Sequence, residues 1–66
     1  MKNSLKVERA KLNITQQELA DKINVSRQTI NSIEADRYVP STILAIKISN
    51  VFSTTVNSIF NLEAGD

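Results

Sequence analysis

Residues 14–34 read ITQQELADKINVSRQTINSIE and contain the strongest structural signal in the chain. Thr15 and Glu18 have the spacing of a capping box, in which each side chain accepts a hydrogen bond from a backbone amide at the other end of the first helical turn. Apolar residues then recur at helical spacing as far as Ile23. Ser26 is placed to cap another helix directly afterwards. The stretch therefore predicts two short helices joined by a tight turn.

The rest of the chain repeats this combination of polar caps and apolar stripes. Asn24 ends the second helix, because asparagine tolerates the left-handed conformation better than most residues. Five helices and no clear strand are predicted. The helices are Ser4–Lys11 with Asn3 or Ser4 as its cap, Gln16–Ile23, a third behind Ser26, a fourth after Pro40 capped by Ser41 or Thr42, and a short fifth carrying Val56, Ile59 and Phe60. The sequence thus predicts one all-α domain at residues 1–62 and a short acidic tail at residues 63–66.

Composition favours binding over catalysis. The chain has 66 residues, with no Cys, no His and a single glycine, Gly65. These absences argue against thiol nucleophiles, imidazole bases, zinc sites and glycine-rich phosphate loops, so no cofactor and no metal are expected. A chain this short buries only about 60% of the surface that it exposes when unfolded. Its stability must come from packing or from a partner subunit.

Net charge gives only weak support for a nucleic-acid partner. The formal net charge is +1, and two of the seven acidic residues, Glu63 and Asp66, lie in the last four positions. Residues 1–62 carry eight basic and five acidic side chains, which is a modest excess of positive charge. No apolar run approaches the roughly 18 residues that a membrane span needs, and a polar stretch follows Met1. A soluble, cytoplasmic protein without a membrane partner is expected.

Residues 14–34, followed by YVPST at residues 38–42, resemble the Cro/C1-type helix-turn-helix family, which includes relatives of the lambdoid phage repressors. The likeness extends from about Leu5 to Leu62 and is nearest to the compact regulators that lack a sensor domain. It implies a five-helix lambda repressor-like domain with its helix-turn-helix at helices 2 and 3. Family members usually have glycine at the position of Asn24, because the turn needs a positive φ, and asparagine is the tolerated substitute.

The resemblance also implies that the third helix lies in the major groove of DNA, with its first residues at the base edges. Arg27 would match guanine O6 and N7 through its planar fork, and Gln28 would pair with adenine N6 and N7. An ordinary solvated helix face is the alternative. The residues expected at DNA are Gln16, Gln17, Ser26, Arg27, Gln28, Thr29, Asn31, Ser32, Arg37 and Tyr38.

Several of these residues lie outside the third helix or at its start. Gln16 and Gln17 begin the second helix, whose amides and dipole favour a phosphate. Arg37 and Tyr38 follow the third helix and match family positions that touch the DNA backbone beside the groove. The simpler alternatives are a solvated polar residue for Gln16, a loop charge and a packed ring for Arg37 and Tyr38, and a helix cap alone for Ser26.

Two further sets of residues are expected to stabilise the fold and the assembly. Arg9 and Glu34 match the family's buried ion pair between the first and third helices, with two unrelated surface charges as the alternative. Val56, Phe60 and Leu62 form more apolar surface than a short terminal helix can bury, which predicts a homodimer interface. The alternative for Phe60 is an inward position against Phe52.

Together these features predict a sequence-specific transcription regulator, with repression as the family's commoner role. Its partner would be a pseudo-palindromic, double-stranded DNA operator bound by a homodimer. The alternative is a protein-interaction module, of the antitoxin or anti-factor type, that uses the same fold to bind a partner protein. An enzyme has little support, because no catalytic motif is recognisable. No small-molecule ligand is predicted.

Overall fold

The computed structural model describes residues 1–66 and has five short helices, as the sequence predicts. The elements are β1 Lys2–Asn3, α1 Leu5–Leu12, α2 Gln16–Lys22, α3 Arg27–Glu34, α4 Thr42–Val51, α5 Val56–Ile59 and β2 Phe60–Asn61. The bounds of α1 and α2 differ from the predicted ones by about one residue, because Ser4 and Ile23 are cap residues that flank their helices. None of the five helices has the length and apolar character required to cross a membrane.

Hydroxyl caps begin α2 to α5. The capping box of α2 is complete: Thr15 Oγ1 accepts from the Glu18 amide at 3.0 Å, and Glu18 Oε1 accepts from the Thr15 amide at 2.9 Å. Ser26 Oγ accepts from the Thr29 amide at 3.1 Å at the start of α3. The equivalent caps of α4 and α5 are Ser41 and Thr55. These bonds satisfy amides that the first helical turn leaves without a partner.

The start of α1 is held by Asn3 instead of a hydroxyl. Asn3 Oδ1 accepts from the Leu5 amide at 3.1 Å, whereas the Ser4 side chain makes no capping bond. Asn3 Nδ2 donates to the Ile33 carbonyl at 2.8 Å and to Asp36 Oδ1 at 2.9 Å. One side chain therefore ties the beginning of α1 to the end of α3.

A left-handed residue follows each of the first four helices, and none of these residues is glycine. The four are Asn13, Asn24, Asp36 and Ser53, with φ values of 55°, 58°, 60° and 51°. The positive φ predicted for Asn24 is confirmed. Asparagine and aspartate adopt this conformation more readily than other residues with a Cβ, whereas serine has no such preference.

One hydrophobic cluster joins all five helices. Its largest fully buried members are Leu5, Leu19, Ile30, Ile33, Ile48 and Ile59. Each helix contributes at least one of these side chains. The two buried isoleucines of α3 fix which face of that helix points away from the core.

The structure adds a short strand pair where the sequence shows no clear strand. β1 and β2 form a short antiparallel pair in which Lys2 lies opposite Asn61 and Asn3 lies opposite Phe60. The predicted fifth helix also ends one residue early, because Phe60 has the extended angles φ −110° and ψ 131°. A two-residue strand has too few positions to show alternation, and its partner lies at the opposite end of the chain.

The acidic tail at residues 63–66 turns back towards the first residue. The Met1 ammonium lies 3.1 Å from Glu63 Oε1 and 3.1 Å from Asp66 Oδ2. The hydrogen bond to Asp66 is the main cause of the raised pKa of this ammonium. The pKa of Asp66 is lowered, first by the bond that it accepts from the Glu63 amide. The tail therefore contacts the N-terminal residue through a small charged cluster at the surface.

Candidate nucleic-acid interface

The α2–α3 pair holds the candidate interface in one orientation. The two helices pack directly against each other, and the turn between them contains left-handed Asn24. The Val25 amide donates to the Ala20 carbonyl at 3.0 Å and closes the end of α2. Ser26 then caps α3 directly. Because α3 is anchored in the core by its buried side chains and is capped at its N-terminus, its exposed face has little freedom to rotate.

The face of α3 that points away from the core is polar and consists of the exposed Arg27, Gln28 and Asn31 and the half-buried Ser32. These side chains form two rows at i, i+4 spacing: Arg27 with Asn31, and Gln28 with Ser32. Ile30 and Ile33, on the opposite face, are fully buried. Planar polar groups at this spacing can meet the hydrogen-bonding edges of successive base pairs.

One side of this face opens into a depression of about 340 Å³. It is lined by Ser26, Gln28, Thr29, Ser32, Arg37 and Tyr38, and therefore brings together six of the ten residues predicted at DNA. Arg37 and Tyr38 stand beside the Gln28 row, although they come from the loop after α3. The Ser26 hydroxyl is already engaged as the cap of α3, 3.0 Å from the hydroxyl of Thr29.

The other side of the face opens into a second depression, of about 400 Å³. It is lined by Lys6, Arg9, Gln16, Asn31, Glu34 and Ala35. Sequence reasoning missed Lys6, an exposed cation that precedes Arg9 by three residues on α1. That helical spacing was the only available signal, and it is too common among surface lysines to single out a site.

Arg9 and Glu34 form a bidentate ion pair beneath this second depression. Arg9 Nε donates to Glu34 Oε2 at 2.6 Å, and Nη2 donates to Oε1 at 3.1 Å. The Arg9 and Glu34 side chains are 15% and 7% exposed. Arg9 Nη1 also donates to the Ile14 carbonyl at 2.9 Å. The hydrogen bond to Glu34 is the main cause of the raised pKa of Arg9. The pair thus links α1, α3 and the loop before α2.

The two glutamines that begin α2 face different partners. Gln16 Nε2 donates to Glu34 Oε1 at 3.1 Å and to Asn31 Oδ1 at 3.4 Å. Gln17 Nε2 donates to Asp21 Oδ1 at 2.8 Å, on the same helix. Gln16 is therefore connected to α3, whereas Gln17 is not.

The residues predicted at a dimer interface lie near the C-terminal end of the sequence and differ in exposure. Phe60 is 7% exposed and belongs to the core, Val56 is half-buried, and Leu62 is 83% exposed. An apolar groove of about 210 Å³ adjoins them, lined by Met1, Val39, Pro40, Thr42, Ala45, Ile46, Val56 and Phe60. Ile43, at the start of α4, is 69% exposed. The exposed apolar surface is thus formed by α4 and the loop before it as well as by α5.

Comparisons with known proteins identify the domain. A family model described as Helix-turn-helix matches residues 5–59. An uncharacterised HTH-type transcriptional regulator of Methanocaldococcus jannaschii is 51% identical over 63 residues, which cover 96% of each chain. The similarly described YgzD of Bacillus subtilis is 43% identical over 63 residues, again 96% of each chain. Another such regulator, from Archaeoglobus fulgidus, is 45% identical over 60 residues, covering 91% of this chain and 84% of the relative.

Proposed function

Since the chain belongs to the Cro/C1-type helix-turn-helix family, we propose that it binds a specific pseudo-palindromic operator as a homodimer and represses transcription. Its domain is that of a DNA-binding transcription regulator and not of an enzyme. The observation that carries the proposal is the exposed polar face of α3, which stands opposite two fully buried isoleucines of the same helix.

Base recognition is assigned to the first turns of α3. Arg27 carries a planar fork of donors that fits guanine O6 and N7, and the amide of Gln28 can both donate to and accept from adenine. Both side chains are exposed, and neither forms a side-chain hydrogen bond within the protein. Binding to a base therefore does not require either side chain to break a hydrogen bond within the protein first.

Backbone contacts are assigned to residues on either side of α3. Arg37 and Tyr38 border the Gln28 row, and Gln16 and Gln17 stand at the N-terminus of α2. A phosphate near that N-terminus would meet free amides and the positive end of the helix dipole. Lys6 lies beside Gln16 in the second depression and adds a cation there. These contacts would orient α3 in the groove without selecting a sequence.

The homodimer is assigned to the surface around the apolar groove, where Val56 and Leu62 would make the contact and the largely buried Phe60 would form part of the groove wall. Val56 and Phe60 line the groove, and Leu62 projects from the end of β2. Contiguous apolar surface on a small domain favours association, and a two-fold pair presents the same surface from both copies. Such a pair would place two α3 helices about one DNA turn, or about 10 base pairs, apart.

Selection from random duplexes, followed by footprinting, tests the operator proposal. The expected result is an enriched inverted repeat with half-site centres about 10 base pairs apart. Binding that shows no enriched sequence would contradict the proposal. Capture of a protein partner together with an absence of sequence-specific DNA binding would favour the protein-interaction alternative instead.

A further inference from the structure

A chain of hydrogen bonds connects the buried ion pair to the exposed face of α3. It runs from Arg9 to Glu34, then to Gln16 and finally to Asn31. From it we infer that Asn31 is a specificity-determining residue that donates to an acceptor on a base edge, such as guanine O6 or N7 or thymine O4, and does not select adenine. The inference rests on the proposed DNA-binding role of α3.

The first step is set by the Glu34 carboxylate. Both of its oxygens accept from Arg9, at 2.6 Å and 3.1 Å. A carboxylate held by a guanidinium has no proton to give and can only accept hydrogen bonds. A neighbouring polar group that approaches Oε1 must therefore be a donor.

The second step fixes the amide of Gln16. Its Nε2 lies 3.1 Å from Glu34 Oε1, so the nitrogen must face the carboxylate, because the opposite orientation would set two acceptors against each other. A primary amide has a second hydrogen on the same nitrogen. That hydrogen is available to Asn31 Oδ1, at 3.4 Å from Nε2. The donor thus faces Asn31 as a consequence of the ion pair.

The third step fixes the amide of Asn31. Because its oxygen faces Gln16, its Nδ2 is left for the exposed side, and Nδ2 makes no other hydrogen bond in the protein. Selective pairing of asparagine with adenine needs both amide atoms, the oxygen for N6 and the nitrogen for N7. With its oxygen held against Gln16 Nε2, Asn31 has only Nδ2 without a partner to offer a base. Guanine and thymine offer acceptors without the competing amino group of adenine.

The test compares two matched variants, Gln16→Met and Gln17→Met. Both glutamines stand in the first turn of α2, but only Gln16 is bonded to Asn31. The base pair read by Asn31 is first located as the one at which Asn31→Ala removes discrimination. Affinity for guanine, thymine and adenine at that position is then measured for each protein. Ratios are compared because both substitutions remove a proposed backbone contact and weaken binding to every sequence.

The native protein should prefer guanine or thymine over adenine by about tenfold at this position, within the range of one base contact. Gln16→Met should reduce that ratio to about threefold or less, since the freed Asn31 amide can turn its oxygen outward. Gln17→Met should leave the ratio unchanged. A native preference for adenine, or a ratio that survives Gln16→Met, would overturn the inference while leaving sequence-specific binding intact. A complete absence of sequence preference would instead overturn the proposed function and the inference with it.

Nuclear magnetic resonance of the free protein tests the geometry without DNA. Nuclear Overhauser effects should connect the side-chain amide protons of Gln16 to the β protons of Asn31, and Asn31→Ala should speed the exchange of those amide protons with solvent. The amide of Gln17 is the control and should be unaffected. If the Gln16 amide showed no proximity to Asn31, the inferred orientation of the two amides would be wrong.

Discussion

The helix-turn-helix region, residues 15–34, and the C-terminal region, residues 39–62, use their side chains in opposite ways. In the first, large apolar side chains are buried and the exposed face is polar. In the second, Val39, Ile43 and Leu62 remain exposed, and its strand β2 pairs with β1 from the opposite end of the chain. The first region is complete within one chain, whereas the second leaves apolar surface that a second copy would cover.

Under the proposed function, DNA recognition and assembly use separate parts of a very small protein. The face of α3 is held by a cap and buried isoleucines of its own region, and the Arg9–Glu34 pair links it to α1. The apolar groove instead combines residues from the first position to Phe60. Changes in the groove should therefore affect DNA binding through association, while changes on α3 should affect it directly.

The largest expected effect concerns the link between α1 and α3. Glu34→Gln should lower the free energy of unfolding by about 3 kcal/mol, because Arg9 would keep a largely buried charge without its partner. Urea unfolding followed by circular dichroism measures this. Glu8→Gln is the control, because Glu8 pairs with Lys11, whose side chain is 67% exposed. That pair should contribute less than about 1 kcal/mol. Equal stabilities of the two variants would contradict the structural role of the Arg9–Glu34 pair.

The next effect concerns assembly. Val56→Asp should weaken the homodimer at least about tenfold, equivalent to about 1.4 kcal/mol, because it places a charge in the contact. Sedimentation of a folded variant measures this, and operator affinity should fall with it. Val56 is half-buried, so Ile46→Asp, at the exposed rim of the groove, provides a second variant.

Val7→Asp on α1 is the control for both assembly variants, since Val7 is exposed and lies outside the groove. It should associate like the native protein. A native protein that sediments as a monomer at all concentrations would contradict the homodimer, and groove variants that dimerise normally would place the interface elsewhere.

A smaller effect is expected at the capping box. Thr15→Ala should lower the free energy of unfolding by about 1 kcal/mol, because the Glu18 amide would lose its acceptor. Thr42→Ala, at an exposed position in the first turn of α4, should change stability by less than about 0.5 kcal/mol. A larger loss of stability in Thr42→Ala than in Thr15→Ala would show that α2 depends on packing and not on its cap.

The smallest effects distinguish the left-handed turns of the two regions. Ser53→Gly should stabilise the fold by about 0.5 kcal/mol, because serine at φ 51° is strained in a way that glycine is not. Asn24→Gly should change stability by less than about 0.5 kcal/mol, since asparagine already tolerates φ 58°. Thermal unfolding of both variants provides the comparison. A clear loss of stability in Asn24→Gly would mean that the Asn24 side chain itself is needed.

The sequence predicted the helix-turn-helix region well because its signals are local. The capping box of Thr15 and Glu18, the cap at Ser26 and the positive φ of Asn24 all depend on residues within a few positions of each other. Each has a residue type that follows from backbone geometry. The same reasoning predicted the five helices.

The features that sequence reasoning missed depend on residues far apart in the chain. The pairing of Asn3 with Phe60 has no local pattern, and without it Phe60 was assigned to the last helix. The contact of Gln16 with Glu34 and Asn31 needs the angle between α2 and α3, which periodicity does not specify. Lys6 was missed for the same reason, since its neighbours in the second depression come from three helices.

The most direct test of base reading by α3 is the affinity of Arg27→Ala and Arg37→Ala for the selected operator and for a scrambled duplex. Arg27→Ala should lose about 1–3 kcal/mol on the operator alone, because it removes a base contact. Arg37→Ala should weaken binding to both duplexes alike, because it removes a phosphate contact. It should also reduce the magnitude of the slope of log K against log salt concentration by about one unit. If Arg27→Ala instead weakened binding to both duplexes equally, α3 would not be the element that reads the sequence.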